Sequence, residues 1–202
     1  MKKISLIILL LFVSASVWGA ETASSVLERT AAKIRAAKSL VVDYSLTAGG
    51  QTVDGVLTIA GNCFQLNSSE VKSWYDGKTQ WTYSTHIGEI NITEPTREEL
   101  LQVNPFAIIQ SFSTDYTATL LKSPGGFSNI RLSAKRKNLD ITGATITINN
   151  TTGYPTAVKL VMNGGQTIGI RVKSVSPGGL LPVSRFRFDH KAYPAVEVVD
   201  LR

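Results

Sequence analysis

At 202 residues, with 43% hydrophobic and 18% charged side chains, the chain is long enough to enclose one real core and short enough to be one domain. Its formal charge of +6 is too mild a bias for a nucleic-acid-binding protein, although it favours approach to an anionic membrane surface or an acidic partner; Lys135-Arg136-Lys137 reads as a solvated turn. Cys63 is the single cysteine, which excludes an intramolecular disulfide and leaves it to pack beside Phe64 as a small hydrophobe.

Met1 to Ala20 opens with Lys2-Lys3, runs through the apolar Ile4 to Val13 and ends in small residues at Gly19 and Ala20. This is the pattern of a cleaved secretory signal peptide, with the cut preferred after Gly19 because Val17 then lies three residues back. The apolar run is too short to remain as a membrane span. Losing Lys2 and Lys3 leaves 19 basic against 15 acidic residues, a charge of +4. The mature chain, residues 21–202, is then a single soluble domain.

From Glu21 to Ser39, Val26, Leu27, Ala31, Ile34 and Ala37 fall at helical spacing, which predicts an amphipathic helix. The period then changes to two. Val42, Tyr44 and Leu46 alternate with Asp43 and Ser45; Val53, Leu57 and Ile59 alternate with Asp54 and Thr58; Phe64 and Leu66 flank Gln65. Trp74 to Tyr83 reads W-Y-D-G-K-T-Q-W-T-Y, a hairpin turning at Asp76-Gly77, where positive φ is needed. With a two-residue turn Trp74 lies opposite Thr79, and Trp81 and Tyr83 share its face together with Lys72. A four-residue loop also keeps the three aromatics together, whereas a three-residue loop does not. Ile90 and Ile92 continue the alternation.

Glu94-Pro95-Thr96 breaks the strand pattern. Thr96 is placed to cap a helix whose first turn carries Glu98 and Glu99, and Asn104-Pro105 starts a second helix, with Asn as cap and Pro at the first helical position. Phe106, Ile108, Ile109 and Phe112 make that helix unusually apolar. Strands are then predicted over residues 116–122, 130–135, 141–148, 157–162, 167–175, 186–188 and 196–199. Turns fall at Asn149-Asn150, Asn163-Gly164-Gly165 and Ser176-Pro177-Gly178-Gly179. Alternation such as Ile168, Ile170 and Val172 against Thr167, Gly169, Arg171 and Lys173 describes an antiparallel sheet apolar on one side only. The fold class is therefore α+β and mostly β: about ten strands in a curved antiparallel sheet, an incomplete β-barrel covered by about three helices.

The chemistry of an enzyme is missing from the sequence. His86 and His190 have no second His or Cys at metal-ligand spacing, no G-x-S-x-G elbow is present, and the glycine pairs lack the Lys and Ser/Thr of a phosphate loop. No catalytic residue, metal site or cofactor is expected. Binary pattern alone does not separate a lined cavity from a filled core.

The D-G-K-T-x-W-x-Y hairpin, the helix start Asn104-Pro105-Phe106-Ala107-Ile108-Ile109 and the closing Phe186-Arg187-Phe188 with Val196-Glu197-Val198 resemble, in this order, motifs of the LolA family. These are periplasmic carriers that move lipoproteins from the inner to the outer membrane of Gram-negative bacteria. The resemblance implies a periplasmic, non-enzymatic, monomeric carrier of acylated lipoproteins. It would receive cargo from an inner-membrane ABC-type release complex and deliver it to an outer-membrane acceptor or to the outer membrane directly. On this reading the acyl chains lie against Leu57, Ile59 and Phe64 of the sheet, Trp74 and Trp81 of the hairpin, and Leu101, Phe106, Ile109 and Phe112 of the covering helices.

Two departures stand against the resemblance. Where better-studied members carry a K-R-P stretch whose arginine holds the helical cover shut, this chain reads Ala60-Gly61-Asn62, and the family's P-x-G near the end appears as Tyr193-Pro194-Ala195. The alternative class is a non-carrier envelope protein, a sensor or scaffold binding a lipid or hydrophobic peptide on the same half-barrel.

Overall fold

The structure, a computed structural model, describes residues 21–104 and 106–202; the expected signal peptide and Pro105 lie outside the described residues. Helix α1 (Ala23–Ala36) begins at a capping box. The Thr22 hydroxyl accepts from the Ser25 N–H at 3.1 Å, and the Ser25 hydroxyl accepts from the Thr22 N–H at 3.2 Å. Its apolar stripe, Val26, Leu27, Ala31 and Ile34, is buried. The helix stops short of the expected Ser39 because Ser39 already pairs with Gly178 in the sheet.

Twelve strands follow, β1 (Ser39–Ala48), β2 (Gln51–Ala60), β3 (Cys63–Ser68), β4 (Val71–Tyr75), β5 (Gln80–Ser84), β6 (Glu89–Thr93), then, after two helices, β7 (Tyr116–Leu121), β8 (Phe127–Ala134), β9 (Ile141–Asn149), β10 (Pro155–Met162), β11 (Thr167–Gly178) and β12 (Glu197–Asp200). The helices between are α2 (Arg97–Val103) and α3 (Ala107–Asp115). All strands join one open sheet in the order β12-β6-β5-β4-β3-β2-β1-β11-β10-β9-β8-β7, so its two edges never meet. Neighbours are antiparallel except β12, which runs parallel to β6. The expected curved sheet under helices is present, with twelve strands rather than ten.

Alternation divides the sheet into two faces. Leu40, Val42 and Tyr44 of β1 pair in register with Ile59, Leu57 and Gly55 of β2, and Phe64 and Tyr75 continue that row across β3 and β4. On the far side of β1 the same face carries Ile130, Leu132, Ile146, Ile148, Val158, Leu160 and Ile170. These side chains and the buried faces of α1, α2 and α3 form the main core, each fully buried Leu or Ile contributing about 1.5–3 kcal/mol of transfer free energy.

The hairpin takes the four-residue loop. Trp74 pairs with Trp81 and Tyr75 with Gln80, so Trp74 does not face Thr79. Gly77 has φ +100° and Asp76 has no positive φ. Asp76 instead accepts the Lys78 and Thr79 N–H groups at 3.1 and 3.0 Å, so its side chain holds the loop. Trp74, Trp81, Tyr83 and Lys72 do share one face. It is the outer face, because Tyr75 and Phe64, on the alternate positions, lie in the main core.

Two strand boundaries differ from expectation. Ser176-Pro177-Gly178 is not a turn, since Pro177 pairs with Leu40 at the end of β11. Beyond Arg171 the other flank of β11 has no strand, so a proline there interrupts no ladder on that side. Phe186-Arg187-Phe188 is not a strand either: a 3-10 turn spans Val183–Phe186 and packs beside β3. The chain then crosses the outer face as a strap. Phe188 lies 5.7 Å from Trp74, and Tyr193 lies 5.9 Å from Trp74 and 5.3 Å from Tyr83. Arg187 donates to Asp76 at 2.9 Å, and the strap ends in β12.

Candidate functional site

A cavity of about 260 Å³ opens between the inner face and the α2–α3 corner, lined by Tyr44, Leu46, Val53, Leu57, Leu66, Val71, Val103, Phe106 and Ile170, with Ser68 and Glu70 as its polar members. One glycine seats its Tyr44 wall. A Cβ on Gly55 would lie 2.6 Å from the Tyr44 hydroxyl oxygen and 2.8 Å from Cζ, so Gly55 is the space over which the Tyr44 ring lies, opposite it in the β1–β2 ladder. Burial pushes the Tyr44 phenol up to about 12, which keeps it neutral at ordinary pH and the cavity wall without charge. A second cavity of about 350 Å³ lies on the other flank of the corner, bounded by Phe64, Tyr75, Leu100, Asn104, Ala107 and Gln110. A third of about 250 Å³ separates Ile59, Gly61 and Asn62 from Ile34 and Arg35 of α1 and Gln110 of α3. The lining of the first excludes water and holds apolar chains without directional chemistry, whereas Asn104 and Gln110 in the second and Arg35, Asn62 and Gln110 in the third make those walls mixed.

The expected ligand-facing residues divide into three groups. Leu57 and Phe106 line the first cavity, Phe64 the second and Ile59 the third. Leu101, Ile109 and Phe112, at 5%, 0% and 6% exposure, are packed into the core of the cover. Trp74 and Trp81 are elsewhere, on the outer face, where Trp74 packs beneath the strap, and neither lines the cavity. The hairpin register correctly groups these aromatics; only the position of the helices decides which side they cover. Tyr44, Leu46, Val53 and Leu66 were not singled out from the sequence, although each shares the alternation parity of Leu57 once β1, β2 and β3 are paired.

The cover is secured through its ends. Thr96 caps α2 as expected, and Glu99 also completes a capping box: Glu99 N–H donates to the Thr96 hydroxyl at 3.3 Å and Thr96 N–H to the Glu99 carboxylate at 2.7 Å. These bonds from Thr96 hold the Glu99 carboxyl below its usual range. Asn104 does not cap α3 from its N-terminus as expected. It closes α2, its own N–H donating to the Leu100 carbonyl, while its side chain accepts the Phe106 N–H at 3.2 Å.

At the far end of α3, Asp115, with a side chain 9% exposed, pairs with Arg97 of α2 at 3.4 Å and with Arg136 of the β8–β9 loop at 2.7 Å. Lys135 donates to the Ser113 carbonyl at 2.6 Å, capping the C-terminal carbonyls of α3. Lys135, Arg136 and Lys137 form the expected exposed turn, and the first two also anchor the cover. The clue in the sequence is Asp115 itself: a carboxylate at a helix C-terminus is unfavourable to the dipole and calls for nearby cations. The Gly61-Asn62 turn, standing where the resemblance puts a latch, faces the third cavity.

His86 and His190 are both exposed, and among the described residues no group of three or more His, Cys, Asp or Glu side chains is placed to hold a metal ion. Burial and the Asp76 carboxylate push the Cys63 thiol up, away from the reactive thiolate. No helix among the described residues is long and apolar enough to cross a membrane.

No curated protein sequence matches the chain. In fold it is similar to an uncharacterized conserved protein of Thermus thermophilus, at a TM-score of 0.60 and 10% identity, over 88% of this chain and 98% of the other. It is also similar to a LolA superfamily protein of Nitrosomonas europaea, at a TM-score of 0.47 and 15% identity, over 85% of this chain and 100% of the other. MucB of Pseudomonas aeruginosa, solved in complex with MucA, gives 0.46 and 14% over 84% of this chain and 62% of the other. The sequence profile described as outer membrane lipoprotein carrier protein LolA matches residues 13–166, which takes in the whole of β1 to β10, all three helices and every residue of the first cavity except Ile170. The chain belongs to the LolA family of outer membrane lipoprotein carrier proteins.

Proposed function

We propose that this chain is a periplasmic carrier that shelters the acyl chains of lipoproteins in the cavity between the sheet and the α2–α3 corner and transfers them from the inner to the outer membrane. The observation that carries the reading is the cavity itself, whose wall is Leu, Ile, Val, Phe and a neutral Tyr, with polar groups only at Ser68 and Glu70. At about 0.8 kcal/mol per methylene, an acyl chain of about sixteen carbons faces a cost on the order of 10 kcal/mol in crossing water unaided. A carrier has only to match the membrane. Release is then a matter of equal apolar environments, and nothing has to be hydrolysed on this chain. The partners on this reading are acylated lipoproteins, an inner-membrane ABC-type release complex, and an acceptor at the outer membrane or that membrane itself.

Native mass spectrometry of the protein taken from its own envelope, combined with fractionation of cells depleted of it, tests the proposal. A triacylated or diacylated polypeptide travelling with the protein, and lipoproteins retained at the inner membrane on depletion, are the expected results. Normal lipoprotein localisation in depleted cells would sink it. A second reading, an envelope sensor or scaffold for one lipid or hydrophobic peptide, is favoured by the division of the interior into three cavities of about 260, 350 and 250 Å³ rather than one. It expects a bound small amphiphile and no sorting defect.

A further inference from the structure

The face of the sheet opposite the cavity carries a groove of about 730 Å³ over β1, β9, β10 and β11, which the carrier reading leaves unused. Alternation fixes its side: Val158, Leu160 and Ile170 are buried in the main core, so Lys159 and Arg171 project outward. The floor is low because Gly169 and Ala157 supply almost no side chain, and threonines, among them Thr47, Thr145 and Thr147, form the walls.

The ladder runs Arg131, Thr145, Lys159, Gly169 across four adjacent strands. Arg131 and Lys159 are thus two strands apart, about 10 Å, and Arg171 lies about 7 Å along β11 from Gly169. All three cations are exposed, and none has an ion-pair partner among the described residues. The nearby carboxylates are already engaged, Asp54 by Lys173 at 2.7 Å and by the Ser45 hydroxyl at 2.7 Å, and Asp43 by the Ser174 hydroxyl. The groove therefore carries two unspent cations, Lys159 and Arg171, with Arg131 just outside its lining.

We propose that this groove docks an extended, acidic peptide segment of a partner protein. Charge complementarity selects the sign. Concavity selects the shape, since a flat bilayer cannot reach the floor at Gly169, whereas a single extended strand lies in the groove. Carboxylates two residues apart on such a strand are about 7 Å apart, close to the diagonal spacing of about 8 Å between Lys159 and Arg171 on their adjacent strands. Docking on this face also leaves the cavity mouth free, so a partner can hold the protein while ligand enters or leaves. The inference stands on the outer face alone and does not depend on what the cavity binds.

The test is fluorescence anisotropy of the full mature chain with a labelled, glutamate-rich peptide of about ten residues at low salt, where screening is weak. A lysine-rich peptide of equal length and phosphatidylglycerol vesicles are the comparisons. Saturable binding of the acidic peptide is expected, falling steeply with added salt and weakened roughly tenfold or more by Lys159→Glu with Arg171→Glu. The double change Lys38→Glu with Lys137→Glu, equal in charge and remote from the groove, should leave it within about twofold. Near-ultraviolet circular dichroism establishes that each variant is folded, and Lys159→Gln with Arg171→Gln gives a milder loss of the same sign. Equal loss in both glutamate pairs, absence of saturation, or binding to vesicles with none to the acidic peptide would overturn the proposal.

Discussion

Replacing Gly55 by alanine tests the origin of the cavity. The backbone of Gly55 has no positive φ, so alanine is conformationally acceptable there and on entropy alone would stabilise the strand by about 0.5–1 kcal/mol. The new Cβ, however, would stand 2.6, 2.8 and 3.1 Å from Oη, Cζ and Cε1 of Tyr44, all closer than a carbon contact permits. Tyr44 is 7% exposed and bounded by core on its other sides, so the ring must swing into the cavity it lines. Overpacking of this kind costs about 1–3 kcal/mol. The net loss of about 1–2 kcal/mol corresponds to a fall in Tm of about 2–8 °C for a chain of this size. The informative assay is binding of a fluorescent fatty acid, which should weaken several-fold in Gly55→Ala and recover in the double variant with Tyr44→Leu, where no ring remains to be displaced. Melting measured across the same four proteins completes a double-mutant cycle. Unchanged probe affinity in Gly55→Ala, or a loss that Tyr44→Leu does not repair, would refute the link between this glycine and the cavity.

Four further outcomes are expected. Arg97→Ala or Arg136→Ala alone should cost at most about 1 kcal/mol, because Asp115 keeps one cation, whereas both together leave a carboxylate 9% exposed without a counter-charge and should cost about 3–5 kcal/mol; chemical denaturation would read the non-additivity. Since burial raises the Tyr44 phenol to about 12, the folded chain keeps a proton that the unfolded chain releases near pH 10. The associated stability is whole below about pH 10 and falls by about 2–3 kcal/mol between pH 10 and 12, a decline that Tyr44→Phe should flatten in alkaline denaturation curves. Phe106→Ala, which empties a fully buried site at the α2–α3 corner, should lower stability by about 3–5 kcal/mol and merge the cavities on either side, measurable as uptake of a bulkier apolar probe. Tyr193→Ala removes the ring packed on Trp74, Tyr83 and Lys72; tryptophan emission should shift to the red and trypsin should cut sooner at Arg185 or Lys191, with the main core unaffected by circular dichroism.

The elements that local chemistry specifies are legible in the sequence: the Thr96 cap with Glu98 and Glu99 in the first turn, the alternation that fixes β1, β2 and β11, and the stripe of Val26, Leu27, Ala31 and Ile34 are all found in place. What is not legible depends on contacts far along the chain. Trp74 and Trp81 share a face by register, yet which face the cavity lies on is set by helices that begin only at Arg97 and by a strap more than a hundred residues later. The same holds for Tyr44 and Gly55: each is unremarkable alone, and only their pairing across β1 and β2 makes room for the ring. Phe186-Arg187-Phe188 alternates like a strand, but with no free sheet edge beside it the alternation instead buries Phe186 against β3 and points Arg187 to Asp76. Pattern reading assumes a ladder partner, and here the partner is a face.

The strap also bears on how the molecule can change volume. Between β3 and β6 the sheet is loaded from both sides, by the core with its helical cover within and by Phe186, Phe188 and Tyr193 without. A wall clamped in this way resists flattening, since any bend that relieves one layer compresses the other. Bending is easier where only one layer exists, over β9 to β11, whose outer face is an open groove. The sheet is in this sense double-walled over β3 to β6 and single-walled over β9 to β11.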